Sequence, residues 1–105
     1  MAKMVVLYNT PIDKEAFNKH YFEVHVPLAK KLPGLIKYEV SQGPVIRIVA
    51  GGPAIYLIGT LYFDDLAAIK KAFTTPEGQA CAADRKILAP TDEDIKIYLF
   101  DTREV

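Results

Sequence analysis

The sequence predicts an α+β domain with its elements in the order β-α-β-β-α-β, and three observations carry that prediction. Residues 4–8, 35–42, 54–63 and 95–100 are short runs rich in β-branched and aromatic side chains, bounded by Gly, Pro, Asn and Asp, as strands are. Between the first two runs, Phe17, Tyr21, Val24 and Leu28 recur at spacings of four, three and four, which lays one apolar stripe along a helix. Between the last two runs lie two further helical stretches, each with a start signal. An antiparallel four-stranded sheet with its helices on one face satisfies this order, and that is the ferredoxin-like arrangement.

Each element has its own reason. Residues 4–8 are continuously apolar and read as a buried strand, ended by Asn9-Thr10-Pro11. Asp13 caps a helix that begins at Lys14-Glu15. Pro27 falls inside the helical pattern, so a kink is expected there, with the Glu23 carbonyl left without its usual donor. Lys30-Lys31 suit the last turn, and Leu32-Pro33-Gly34 stops it. In the second strand Ile36, Tyr38 and Val40 share one face. Gly43-Pro44 bends the chain, residues 45–50 are read as a continuation of the strand, and Gly51-Gly52-Pro53 turns it. A helix starts at Asp64-Asp65 with Leu66, Ile69 and Phe73 as its stripe. Thr75-Pro76-Glu77 starts another, with a hydroxyl cap, Pro in the first turn and an early acid; it stops at Ala89-Pro90.

The third and fourth strands are apolar on both faces. Tyr56, Ile58 and Tyr62 oppose Ile55, Leu57, Leu61 and Phe63, and Tyr98 and Phe100 oppose Ile95, Ile97 and Leu99. Helices on one side leave the other side bare. A second copy of the chain is the expected cover, giving a homodimer with face-to-face sheets, a dimeric α/β barrel.

Residues 1–105 are enough for a single domain that buries a core without metal or disulfide. Half of the residues are hydrophobic and a quarter charged, a globular composition. Thirteen Lys and Arg balance thirteen Asp and Glu, which argues against nucleic acid and against a polybasic membrane patch. No apolar run approaches the roughly 20 residues of a membrane span, so no membrane partner is expected. The single cysteine, Cys81, allows no internal disulfide, and a reducing cytoplasm is the expected compartment.

The chemistry-bearing residues concentrate in residues 20–27. Both histidines lie there, five apart, and on an undistorted helix they point about 140° from each other. That spacing does not bring two imidazoles onto one face, and only Glu23 is nearby. Neither a metal nor another cofactor is therefore expected. His25 sits between Tyr21 and Leu28 at the edge of the apolar stripe. Tyr38, on the apolar face of the next strand, falls beneath that helix. A His25–Tyr38 pair in an apolar cavity could move protons on carbonyl compounds near neutral pH. The same residues also suit a purely structural role, with His25 bonding a carbonyl of the kinked helix and Tyr38 filling the core. Cys81, among alanines, reads as a small residue for close helix packing, and Asp92-Glu93-Asp94 as a solvated turn.

Two segments resemble the EthD family. One runs from Phe17 to Leu35 through His20-Tyr21-Phe22-Glu23-Val24-His25-Val26-Pro27-Leu28. The other runs from Tyr56-Leu57-Ile58-Gly59 through Phe63-Asp64-Asp65-Leu66 to Thr75-Pro76-Glu77-Gly78-Gln79. The resemblance implies a dimeric α/β barrel and a role in small-molecule catabolism beside an oxidative cytochrome P450 system. Pro33-Gly34-Leu35 and Lys37-Tyr38-Glu39-Val40 are also similar to a turn and strand of methylmuconolactone methylisomerases, whose functional histidine and tyrosine then fall on His25 and Tyr38. That resemblance leaves His20 beside the pair or at the pocket mouth, with Tyr21 in the pocket; lactone isomerisation itself is not carried over, because the flanking sequence departs. Asn9 occupies a place comparable to an asparagine of the related cofactor-free monooxygenases, but this chain has no Trp and no His on its last long helix. Two expectations follow. The first is an enzyme acting on a carbonyl, lactone or phenolic intermediate, as a cofactor-free isomerase or an oxidoreductase-associated enzyme. The second is a non-catalytic carrier of a small apolar or aromatic ligand that serves an oxygenase.

Overall fold

A computed structural model describes residues 1–105. Along the chain come β1 (Ala2–Asn9), α1 (Lys14–His20), a π-helical turn (Tyr21–His25), α2 (Val26–Ala29), β2 (Lys37–Val40), β3 (Ile55–Phe63), α3 (Leu66–Ala72), α4 (Pro76–Leu88), a 3-10 turn (Asp92–Asp94) and β4 (Ile95–Asp101). All strand pairs are antiparallel and the sheet order is β2-β3-β1-β4. This is the α+β, ferredoxin-like class that the sequence pattern predicts.

Strand alternation sends one set of side chains to the helices. Val6 lies opposite Gly59 and Ile97, and Tyr8 opposite Leu57 and Ile95. These positions join Phe17, Tyr21, Ile69 and Leu88 from the helices in one core. Three local expectations fail for identifiable reasons. Residues 45–50 form no strand. Instead the Arg47 guanidinium donates to the carbonyls of Gly51 and Gly52, curling the loop on itself and leaving Ile46, Ile48 and Val49 exposed. Tyr56 leaves the outer sheet face because the β1–β3 register jumps from Tyr8↔Leu57 to Asn9↔Ile55. Its hydroxyl donates to Asn18 Oδ1 at 2.7 Å, and its ring meets Phe17 edge-on. The helical stripe also changes phase, as described below.

Between α3 and α4 the chain turns a tight corner, and the Thr75–Gln79 run builds it. Thr75 Oγ1 accepts from the Gly78 amide at 3.1 Å and donates to the Ala72 carbonyl at 2.6 Å, and Gln79 donates to the Phe73 carbonyl at 2.7 Å. Gly78 is buried against the end of α3, where an added Cβ would overlap the Ala72 carbonyl and stand 2.5 Å from Phe73 Cα. Both neighbours are backbone and have no rotamer to change. Gly78→Ala is therefore expected to cost roughly 1–3 kcal/mol of stability, read as a lower denaturation midpoint in urea with an unchanged slope.

The outer sheet face carries Val5, Leu7, Ile58, Tyr62, Tyr98 and Phe100 by alternation. Tyr62 lies between the ammonium groups of Lys3 and Lys37, at 5.0 and 5.1 Å from its ring centre, and donates to Glu39 Oε1 at 2.5 Å. No element of the chain covers this face, and Tyr98 and Phe100 stay exposed. No helix is long and apolar enough to cross a membrane.

Candidate functional site

The site begins with a change of helical pitch. At Val26 the amide donates to the Tyr21 carbonyl, five residues back, instead of four. Pro27, which cannot donate, sits in the first turn of α2, where a missing amide hydrogen costs least. The widened turn thus lies just ahead of Pro27, in the stretch where the sequence predicts a kink. The extra residue rotates everything beyond Tyr21. An unbroken α-helix would place Val24 and Leu28 beneath Tyr21. In this structure Val24 is exposed, and His25, Ala29 and Leu32 are buried.

The same widening brings the two histidines together. Residues five apart lie roughly one above the other across an i→i+5 turn, so the divergence expected of His20 and His25 is overturned. His20 Nε2 donates to Asp84 Oδ1 at 2.8 Å, and His25 Nδ1 donates to Asp84 Oδ2 at 2.9 Å. Asp84, on α4, is itself buried. Each carboxylate oxygen takes one ring. The bond to the acceptor-only carboxylate fixes the proton of His25 on Nδ1 and leaves Nε2 as an acceptor. No group of three or more His, Cys, Asp or Glu side chains is arranged to hold a metal ion.

His25 borders a cavity of about 160 Å³ between the helices and the sheet. The walls are mostly apolar, and the polar groups that reach it include Tyr8, Tyr21 and Tyr38. The hydroxyls of Tyr21 and Tyr38 are hydrogen-bonded to each other. Gly59 makes room for the pair: a Cβ there would stand 3.0 Å from the Tyr21 hydroxyl and 3.6 Å from the Tyr38 ring. No buried side-chain nitrogen or oxygen lacks a partner, so His25 Nε2, which bonds to no protein group, opens on accessible space in the cavity.

Burial, acting against the Asp84 carboxylate, lowers the His25 pKa below its ordinary value. Burial holds the hydroxyls of Tyr8, Tyr21 and Tyr38 well above the usual tyrosine range. Near neutral pH the cavity therefore presents an uncharged imidazole and uncharged phenols. Cys81 also lines it, with its thiol pushed up to about 11, first by burial and then by Asp84, so the sulfur stays protonated and poorly nucleophilic.

His25, Tyr38 and Tyr21 share the cavity wall, but no hydrogen bond joins His25 to Tyr38; each has a different partner. His20 stands behind His25 and opens on a separate outer cleft. Asn9 lies away from the cavity and donates to the Glu93 carbonyl at 2.9 Å. Sequence reasoning missed Asp84. Its signal was a carboxylate on the inward stripe of α4, with Cys81 three residues before it and Leu88 four after.

The model of the EthD domain matches residues 9–91. The chain belongs to the EthD family. An EthD family protein of Bacillus halodurans is 32% identical, with a TM-score of 0.84 over 98% of this chain and 99% of that one. An uncharacterised 11.0 kDa protein from the thcB–thcC intergenic region of Rhodococcus erythropolis is 36% identical over 84 residues, 80% of each chain. A dimeric protein of unknown function from Bacteroides fragilis, with a ferredoxin-like fold, is 25% identical, with a TM-score of 0.65 over 96% of this chain and 95% of that one. The two EthD-like segments have distinct places in this fold. The first holds the widened turn with both histidines, and the second holds Gly59 behind the tyrosine pair and the Gly78 corner.

The state of His25 has a measurable consequence for this EthD chain. Its folded pKa lies below the unfolded value of 6.5. Below about pH 6.5 the unfolded chain binds more protons at this position than the native one, so His25 contributes stability that is present above that pH and lost as pH falls. Thermal melts between pH 7.5 and 5 are expected to show a falling melting temperature, with a shallower slope in His25→Asn. Equal slopes in the two proteins would contradict a buried neutral imidazole.

Proposed function

We propose that this EthD chain is a small-molecule enzyme that moves a proton on a carbonyl, lactone or phenolic intermediate, with His25 as the base. One observation carries the reading: an uncharged imidazole, oriented by a buried carboxylate, has a free Nε2 facing an apolar cavity. His25 Nε2 takes a proton from carbon next to a carbonyl. The C–H electron pair moves toward the carbonyl oxygen, and the Tyr21–Tyr38 pair, kept neutral by burial, donates a hydrogen bond to the developing enolate. Return of the proton to a different carbon completes an isomerisation with no change in oxidation state. Asp84 positions His25 and stabilises its imidazolium while the proton is held.

Deuterium incorporation, followed by proton NMR in D2O over a panel of ring ketones, unsaturated lactones and phenols, tests this directly. Exchange catalysed by the wild-type protein and abolished in His25→Asn supports it. Binding of panel members with no exchange above the buffer rate would overturn it and leave a carrier, which the mostly apolar walls also suit.

The bare outer sheet face is read as the seat of a second copy of the chain, in keeping with the dimeric Bacteroides protein. Ile58 pairs with Leu7 on that face. Ile58→Lys is expected to halve the mass seen in light scattering at micromolar concentration while circular dichroism stays native. An unchanged mass would place the interface elsewhere.

A further inference from the structure

The proton-transfer reading leaves one part of the site unused, the imidazole of His20. It and His25 take opposite oxygens of Asp84, at 2.8 and 2.9 Å. Their other nitrogens lead to different places. The His25 side chain is 9% exposed and borders the inner cavity; that of His20 is 26% exposed and borders the outer cleft. His20 Nδ1 bonds to no protein group and is not buried, so a solvent proton reaches it without entering the cavity. One carboxylate thus joins a ring that faces solvent to a ring that faces the cavity.

Asp84 carries a single negative charge. With both rings neutral, each donates one N–H to it, and both of its oxygens are bonded. A proton added at His20 Nδ1 turns that bond into an ion pair, and the charge it neutralises no longer supports an imidazolium at His25. Other groups nearby do not duplicate this link. On the cleft side, Asp13 is bonded to the Ala16 amide and Asp94 to the Thr91 hydroxyl. On the cavity side, burial keeps Tyr8 of β1, Tyr21, Tyr38 of β2 and Cys81 of α4 uncharged, and a guanidinium such as that of Arg85 does not titrate in the working range. We infer that His20 is a positioning residue that reads the proton level of the outer cleft and, through Asp84, sets how readily His25 takes a proton in the cavity. The inference rests on His25 being the base, and it adds a regulator to that site. Burial lowers the His25 pKa first, Asp84 opposes it, and the charge of His20 lowers it further, in the direction this coupling requires.

Nitrogen NMR of the isotope-labelled protein between pH 5 and 8 tests it. In the wild type the curves of the two rings are expected to share their inflections rather than follow two independent one-proton curves. His20→Gln keeps a donor near the place of Nε2 but takes no charge, so the His25 midpoint should move to higher pH. His20→Arg fixes a charge there, so the midpoint should move to lower pH. Mere loosening of Asp84 would move both variants the same way. In the exchange assay, the fraction of the pH 8 rate that remains at pH 5 should fall about threefold in His20→Gln. The inference is overturned if the wild-type rings titrate independently, if the His25 midpoint stays put in His20→Gln, or if the two variants shift it in one direction. Should a variant fail to fold, the wild-type curves decide alone. The titration needs no turnover. Coupled rings without exchange would overturn the proton-transfer reading only, and His25-dependent exchange with independent rings would overturn the role of His20 only.

Discussion

Asp84→Ala is expected to lower stability by roughly 3 kcal/mol, on the order of 10–20 °C in melting temperature for a domain of this size, and to abolish proton transfer. Asp84 is buried, and both of its oxygens are taken by imidazoles from the facing helix. Removing it strands two ring nitrogens at once and opens a void between α4 and the π-helical turn. His25, itself buried, is left without the acceptor that holds its proton on Nδ1. Asp84→Asn separates the two roles. An amide offers one acceptor and one donor where the carboxylate offers two acceptors, so one ring must change tautomer. Its volume is conserved, so stability should fall less than in Asp84→Ala, while exchange activity falls nearly as far. Differential scanning calorimetry and the exchange assay read the two quantities independently. A stable Asp84→Ala with intact activity would remove Asp84 from the site altogether.

His25→Asn is expected to reduce proton transfer by about 10²–10⁴-fold, the usual contribution of a general base, while shifting the melting temperature by only a few degrees. The asparagine amide nitrogen falls near the place of the ring Nδ1 and can continue to donate to Asp84 Oδ2, which preserves the structural bond. What disappears is Nε2, the atom that faces the cavity. Activity and stability thus respond unequally to one substitution. In the wild-type protein the rate of proton abstraction should rise with pH through a midpoint below 6.5, because burial lowers the His25 pKa. Equal loss of activity and stability in His25→Asn would return the residue to the core.

The fold was legible because its signals are local. Asp13, Asp65 and Thr75 cap their helices where the sequence pattern puts the starts. Strand alternation likewise assigns Tyr38 to the inner face. The site was legible only in part. His25, Tyr21 and Tyr38 could be placed near one cavity by periodicity and by family resemblance, but the carboxylate that joins His20 to His25 could not. Helical arithmetic at 100° per residue separates the two rings, and it fails here because one turn holds an extra residue, which no propensity in His20-Tyr21-Phe22-Glu23-Val24-His25 announces. Asp84 stands 59 residues from His25, and pairings at that range are invisible to local pattern. The loop at 45–50 misled for the opposite reason. Its run of β-branched residues is that of a strand, but Arg47 ties up the carbonyls of Gly51 and Gly52 in the turn that follows.

The widened turn also bears on how the chain can change over generations. It holds one residue more than an ordinary helical turn. Deleting any one residue between Tyr21 and His25 would leave the two histidines four apart on a regular α-helix, where they share one face, and would keep His25, Ala29 and Leu32 turned inward. Deleting two would swing His25 about 100° away from Asp84 and bring a different neighbour inward. EthD relatives that keep both imidazoles on one carboxylate are therefore expected to space them five apart across a widened turn or four apart on a regular helix, with an acid facing them from α4, which makes segment length at this turn a readable mark of which relatives still carry the site.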